Sequence, residues 1–236
     1  MTRPTVSAIV AAYNEAKTIK PILTTLVNHP KVTEVVVIDD GSTDKTWPII
    51  KSIVHPKLIP ILHSTNLGKG AAIANGIKKA QGEILLFIDA DLKKFHPVHI
   101  DLLLSPLSID PNCMTIGLRE SQRTLDKTFQ TIWKLLGGER AIAKKQVTPL
   151  LPKIANSGYG VEIIINSQVI RRKHKIYTIP LPRLEHPLKG EKRGIYEMLR
   201  EYWRESNEVS KQIFDIDNLA QFPNLQEILR KLRQFT

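Results

Sequence analysis

A chain of 236 residues, 42% hydrophobic and 24% charged, has the make-up of a soluble globular protein: one sizeable domain with appended helices, or two small ones. Its single cysteine excludes an internal disulfide framework and fits a reducing compartment, and no stretch approaches the roughly 20 apolar residues of a membrane-spanning helix. The net charge of +11 points to anionic partners, but scattered basic residues, 6% aromatics and the lack of zinc-finger or RNA-recognition spacing argue against nucleic acid.

The first apolar run, Val6–Ala12, is strand-like, too short for a signal peptide, and leads straight into Tyr13-Asn14-Glu15. A helical pattern follows over 15–27. The second run, 34–38, ends in Asp39-Asp40 and turns through Gly41, with Ser42 or Thr43 suited to cap a helix over 46–54. A carboxylate fixed at a strand end can accept a hydrogen bond from a base imide or a ribose hydroxyl. A plain capped turn explains the Gly-Ser-Thr-Asp string but not the two aspartates before it.

The third run, Leu58–Leu62, precedes Gly68-Lys69-Gly70 and a small-residue helix over 70–80. Glycine at a helix N-terminus attracts anions and Lys69 adds a mobile cation, yet the spacing is not that of a nucleoside-triphosphatase loop. The fourth run, 84–88, ends in Asp89-Ala90-Asp91, whose carboxylates leave on one side because strand side chains alternate. Two like charges that close disfavour each other's ionisation unless a cation sits beside them. The alternative is that Asp91 caps a turn and Asp89 is incidental. A receiver domain is set aside because this later acid is doubled and the chain is too long.

Strands alternating with helical spans imply βαβ units. The expected architecture is α/β, a Rossmann-like, mostly parallel sheet with helices on both faces and ligands beyond the carboxyl ends of the strands. All four polar clusters sit at those ends. Farther on, 97–104 reads as a short helix and 114–118 as a strand, with Cys113 a small core residue rather than a nucleophile. Leu125, Phe129, Ile132, Trp133 and Leu136 recur at helical spacing up to Gly137-Gly138. Residues 147–152 read as a loop or linker, and the basic run 171–175 as a solvated helix end or a contact for an anionic partner. Ile195, Met198, Leu199, Tyr202 and Trp203, then Leu225, Ile228, Leu229 and Leu232, mark two amphipathic C-terminal helices.

Together "AAYNEAKTI" (11–19), "VVVIDDGSTDKT" (35–46), "NLGKGAAIANGI" (66–77) and "FIDADL" (87–92) resemble the motifs of the family 2 glycosyltransferases, which have the GT-A fold. "GGERAI" (137–142), "GYGVE" (158–162) and "LEHPLKGEK" (184–192) are weaker echoes, and the likeness spans roughly residues 5–195. The resemblance implies a glycosyltransferase domain over 1–190, its nucleotide-sugar-binding half ending near 95 and its acceptor half filling 96–190, followed by a helical extension over 191–236. It also implies roles. Asp40 contacts the nucleobase, Ala12, Tyr13 and Glu15 line the base and ribose pocket, and Lys69 meets phosphate or donor sugar. Asp91 holds Mg²⁺ or Mn²⁺, Asp89 lies nearer the ribose or sugar, and His186 resembles a further metal ligand of some relatives.

The implied reaction is an inverting single displacement on a UDP- or GDP-sugar through an oxocarbenium-like transition state. The metal offsets charge growing on the departing β-phosphate. Glu162 or Glu139 would be the general base, with Glu162 preferred because it follows the Gly-Tyr-Gly turn. An ionised phosphate acceptor would need no base, and Arg119 and Arg140 would orient it; the plain alternatives are a helix cap and surface ion pairs. Residues 89–107 resemble enzymes that glycosylate phosphoglycerate, whereas the basic charge and C-terminal helices suit a polyprenyl or other lipid phosphate. Both acceptor classes stay open. The helices are expected on their own domain, with a homodimer or peripheral membrane contact as alternatives, and the location is cytoplasmic or at the inner membrane face. A sugar-phosphate nucleotidyltransferase would need a glycine- and arginine-rich first loop, which "AAYNEAKTI" is not. The competing class is a non-catalytic nucleotide-sugar-binding or membrane-docking module.

Overall fold

The computed structural model describes residues 4–119, 137–158 and 160–185. Strands β1 (Val6–Ala12), β2 (Glu34–Asp39), β3 (Leu58–Leu62) and β4 (Ile84–Phe87) alternate with helices α1 (Ile19–Val27), α2 (Thr46–Lys51) and α3 (Lys69–Lys79). Then come α4 (Pro97–Leu104), β5 (Met114–Arg119), β6 (Arg140–Ala143), α5 (Lys144–Val147), α6 (Leu151–Ala155), α7 (Val161–Arg171) and β7 (Ile176–Leu181). Among the described residues these strands form one sheet in the order β3-β2-β1-β4-β6-β5-β7, and only β6 runs against its neighbours. The mostly parallel sheet expected from the alternation is what the chain builds.

β1, β2 and β4 read as near-continuous apolar runs because both faces are covered. On one face Val6, Ala8 and Val10 pack with Ile19, Ile22, Leu23 and Leu26 of α1 and Ile100 and Leu103 of α4. On the other, Ile9, Val36 and Ile38 pack with Ile73 and Ile77 of α3, Ile154 of α6 and Ile165 of α7. β1 lies between β2 and β4, so the chain winds one way from β1 to β3 and the other way from β4. That reversal opens a crevice at the carboxyl edge, the usual ligand site of such sheets.

Several local expectations need correction. α1 begins at Ile19 rather than 15, because 13–18 is tied to the loop after β2. Residues 147–152 are not a linker: a short 3₁₀ turn, Thr148–Leu150, joins α5 to α6. Pro149 and Pro152 fall in first turns, where a missing N–H leaves no helix bond unmade. Strands β6 and β7 were not foreseen. The basic run does close α7 at Arg171. Cys113 is a fully buried core residue, its thiol pushed up to about 11 chiefly by burial. The helical pattern at 125–136 and the extension at 191–236 lie outside the described residues. Among the described residues no helix is long and apolar enough to cross a membrane.

Candidate functional site

The loops after β1 and β2 are knitted together. Asn14, in the left-handed region at φ 58°, donates its backbone N–H to Ser42 Oγ at 2.9 Å. Its side-chain oxygen accepts from the amides of Thr43 at 2.9 Å and Asp44 at 3.3 Å. The Asp44 carboxylate accepts from the amides of Ala16 and Thr46, and the Thr46 hydroxyl accepts from the Glu15 amide. Burial raises the Asp44 carboxyl, but the hydrogen bonds from Thr46 and Ala16 outweigh it and hold it below the ordinary carboxylate value. The loop leaves Tyr13 44% exposed at the crevice rim. Ala12 is buried in the core of the α1 face, and Ala11 is the residue that lines the cleft.

Asp40 turns towards the loop after β3. Its carboxylate accepts from the amides of Leu67 at 3.0 Å and Gly68 at 2.8 Å and meets His63 Nδ1 at 2.7 Å. Gly41 (φ 71°) lets the two loops touch backbone to backbone, since a β-carbon there would sit 2.5 Å from the Thr65 carbonyl carbon. Asp40 thus fixes the turn that delivers Lys69 to the first position of α3.

Lys69 Nζ lies 2.8 Å from Glu162 Oε1 and 3.3 Å from Asp89 Oδ1, so one ammonium bridges two carboxylates from different segments. Asp89 follows β4, and Glu162 stands in the first turn of α7, where its charge also suits the helix dipole. The three line a cleft that opens to solvent, together with Phe87, Gly138 and Arg140. Gly138 packs on the Asp89 carboxylate: a β-carbon there would fall 2.5 Å from its Cγ. Glu139, the other base candidate, is fully buried and does not line the cleft. Arg140 is only 1% exposed; its guanidinium donates to the carbonyls of Gly137 and Glu162 and to Asn166 Oδ1. It clamps the start of α7 to Gly137 from the wall of the cleft.

Asp91 is 7% exposed, beyond β4. Two residues later, Lys93 pairs through both backbone hydrogen bonds with Glu185, at 2.7 and 3.1 Å. His186, the next residue after Glu185, lies outside the described residues, as does the side chain of Arg119 at the end of β5. Among the described residues no three His, Cys, Asp or Glu side chains converge on a metal position. Asp89 and Asp91 are hard oxygen donors, which fit Mg²⁺ or Mn²⁺ as a partial set, the remaining positions falling to phosphate and water.

Sequence reasoning missed His63, Asn75, Gly138 and Asn166, whose roles come from distant partners. Asn14 and Asp44 carried a signal: asparagine tolerates the left-handed region, and aspartate two residues before a threonine suits a turn.

A family profile described as "Glycosyl transferase family 2" matches residues 7–151. A dolichyl-phosphate beta-glucosyltransferase, ALG5C, of Trichomonas vaginalis is 31% identical over 145 residues, 55% of this chain and 43% of the relative. The dolichol-phosphate mannosyltransferase of Pyrococcus furiosus is 25% identical over 243 residues, 92% of this chain and 67% of the relative. The chain spans about half the length of the first curated relatives it matches, 43% and 50%. Among solved structures, glucosyl-3-phosphoglycerate synthase of Mycobacterium tuberculosis, in complex with Mn²⁺, UDP and phosphoglyceric acid, superposes with a TM-score of 0.69. It is 21% identical, and the match covers 89% of this chain and 79% of that one. The shared fold is the GT-A-like α/β arrangement expected from the motifs.

Proposed function

The chain belongs to glycosyl transferase family 2, and from that premise we propose that it moves a hexose from a UDP- or GDP-sugar to a phosphorylated acceptor by inverting displacement, assisted by Mg²⁺ or Mn²⁺. The observation that carries this reading is the convergence of Lys69, Asp89 and Glu162 in one cleft, from three separate segments of the chain. Residues 1–95 would serve the donor and 96–190 the acceptor.

Tyr13 and Glu15 would meet base and ribose, on a loop fixed by Asn14 and Asp44. Asp40 would reach the base from the neighbouring strand end. Lys69 would turn from the two carboxylates to the donor phosphate, and Asp89, held by Gly138, would face the ribose or sugar. Asp91 would hold the cation, with His186 as a further ligand. Bound there, the cation would offset charge on the leaving diphosphate.

Glu162 would take the acceptor's proton. Its carboxylate, 8% exposed and directed at Lys69 in the cleft, favours an acceptor hydroxyl, as on a small phosphorylated acid, because an ionised phosphate needs no base. A polyprenyl phosphate acceptor is the second reading, supported by the similarity to dolichyl-phosphate and dolichol-phosphate glycosyltransferases. A reducing, cytoplasmic setting suits the lone buried thiol.

The test is a transfer assay with UDP- and GDP-hexoses and Mn²⁺ or Mg²⁺, offering phosphoglycerate or a short-chain polyprenyl phosphate in parallel. Metal-dependent glycosylation of one acceptor supports the proposal. Tight donor binding with no transfer and no donor hydrolysis would support the non-catalytic module instead.

A further inference from the structure

A polar chain runs from α3 through His63 to Asp40, one of the residues that would touch the donor. Asn75 on α3 donates its amide N–H to His63 Nε2 at 2.9 Å, and His63 Nδ1 lies 2.7 Å from Asp40 Oδ1. An amide nitrogen only donates, so Nε2 accepts and Nδ1 carries the hydrogen given to Asp40. The His63 and Asp40 side chains are 6% and 5% exposed. Asp40 passes the constraint on, accepting from the amides of Leu67 and Gly68, the two residues before Lys69. Packing does little to hold that part of the turn. Leu67 is 57% exposed, Gly68 has φ 91°, and a β-carbon on Gly68 would meet nothing within 4 Å. Its placement therefore depends on hydrogen bonds.

We propose that His63, oriented by Asn75, is a positioning residue of the donor site. It holds Asp40 in the one orientation that locks the Leu67–Gly68 turn, and so sets Lys69 at the head of α3 against Asp89 and Glu162. This rests on the reading of Asp40 and Lys69 as donor-binding residues. The chemistry required at position 63 is an N–H donor at the Nδ1 position, and in histidine the bond from Asn75 to Nε2 selects the tautomer that provides it.

Asparagine places its amide where histidine has Nδ1, and glutamine where it has Nε2, so two substitutions separate the roles. UDP and GDP would be titrated with Mn²⁺ into wild type, His63→Asn and His63→Gln, with amide exchange at Gly68 measured in each. His63→Gln weakens nucleotide binding about tenfold and speeds Gly68 exchange, whereas His63→Asn stays within about threefold of wild type on both. Should His63→Gln fail to fold, Asn75→Ala takes its place, with a loss of about threefold in binding and faster Gly68 exchange. Wild-type binding and slow Gly68 exchange in His63→Gln, or equal damage in both histidine variants, would overturn the proposal. A wild type that binds neither nucleotide would overturn the donor-site reading, and exchange at Gly68 would still decide whether His63 locks the turn.

Discussion

Lys69 Nζ, at the first residue of α3, lies 2.8 Å from Glu162 Oε1 in the first turn of α7, 93 residues away along the chain. The same ammonium reaches Asp89 at 3.3 Å, so a single cation bridges two separate segments that line the cleft. Replacing it by Lys69→Met leaves two carboxylates facing each other. We expect transfer to fall at least about 100-fold, with weaker nucleotide binding and an unchanged circular dichroism spectrum.

Glu162→Gln separates base chemistry from binding. It keeps the size of the side chain and a hydrogen-bonding oxygen for Lys69, but it cannot take a proton. Turnover with a hydroxyl acceptor should drop by about 10²- to 10⁴-fold while the nucleotide dissociation constant stays within about threefold. Unchanged turnover would remove Glu162 from the chemistry and favour an ionised phosphate as nucleophile.

Two glycines differ in what their substitution should break. At Gly138 an added β-carbon would fall 2.5 Å from Asp89 Cγ, so Gly138→Ala should displace the carboxylate and abolish transfer with little loss of melting temperature. At Gly76 the β-carbon would meet Ile9 Cγ2 at 2.7 Å and Ile38 Cδ1 at 2.8 Å inside the core. Gly76→Ala should destabilise the fold by about 1–3 kcal/mol, read as a lower denaturation midpoint, while activity per folded molecule survives.

The contrast follows what was legible in the sequence. The β1–β4 strands and the crevice could be read because apolar runs of strand length each end in a polar cluster, a pattern local to the chain. The start of α1 could not, because Asn14 and Ser42 hold 13–18 out of the helix from 28 residues away. β6 was hidden since Arg140, its first residue, looks like a surface charge; its burial is compensated by Gly137, Glu162 and Asn166, which the sequence does not place beside it. Likewise Asp40 announced a strand-end carboxylate but not its partners His63, Leu67 and Gly68. Motifs fix residue identities at the site, and nonlocal hydrogen bonds fix their orientation.

His99 should make stability depend on pH. Burial lowers its pKa below the ordinary 6.5, the hydrogen bond to the Pro182 carbonyl opposes this, and His96 adds to it. Because the folded value lies below the unfolded one, the folded state disfavours the imidazolium. Stability is full above 6.5 and is lost as pH falls from 6.5 through the folded value. His29, lowered chiefly by burial, acts in the same direction. Urea midpoints between pH 8 and pH 5 should fall on acidification, and His99→Gln, which keeps a donor for Pro182, should flatten the curve.

Cys113 should be chemically silent in the native chain. Fully buried, with its thiol pushed up to about 11, it stays protonated at neutral pH. Iodoacetamide should modify it only on unfolding, and Cys113→Ser should leave transfer unchanged at a cost of about 1–2 kcal/mol in stability.

Metal-linked nucleotide binding bears most directly on the whole account. Thermal stability would be measured with UDP, GDP, ADP and dTDP, each with Mn²⁺, Mg²⁺ or EDTA, for wild type and Asp91→Asn. At about 100 times its dissociation constant a ligand adds roughly 2.7 kcal/mol to stability. The expected result is a rise with UDP or GDP that requires the cation and disappears in Asp91→Asn. An equal rise in EDTA or in Asp91→Asn, or no rise with any nucleotide at saturating concentration, would contradict it.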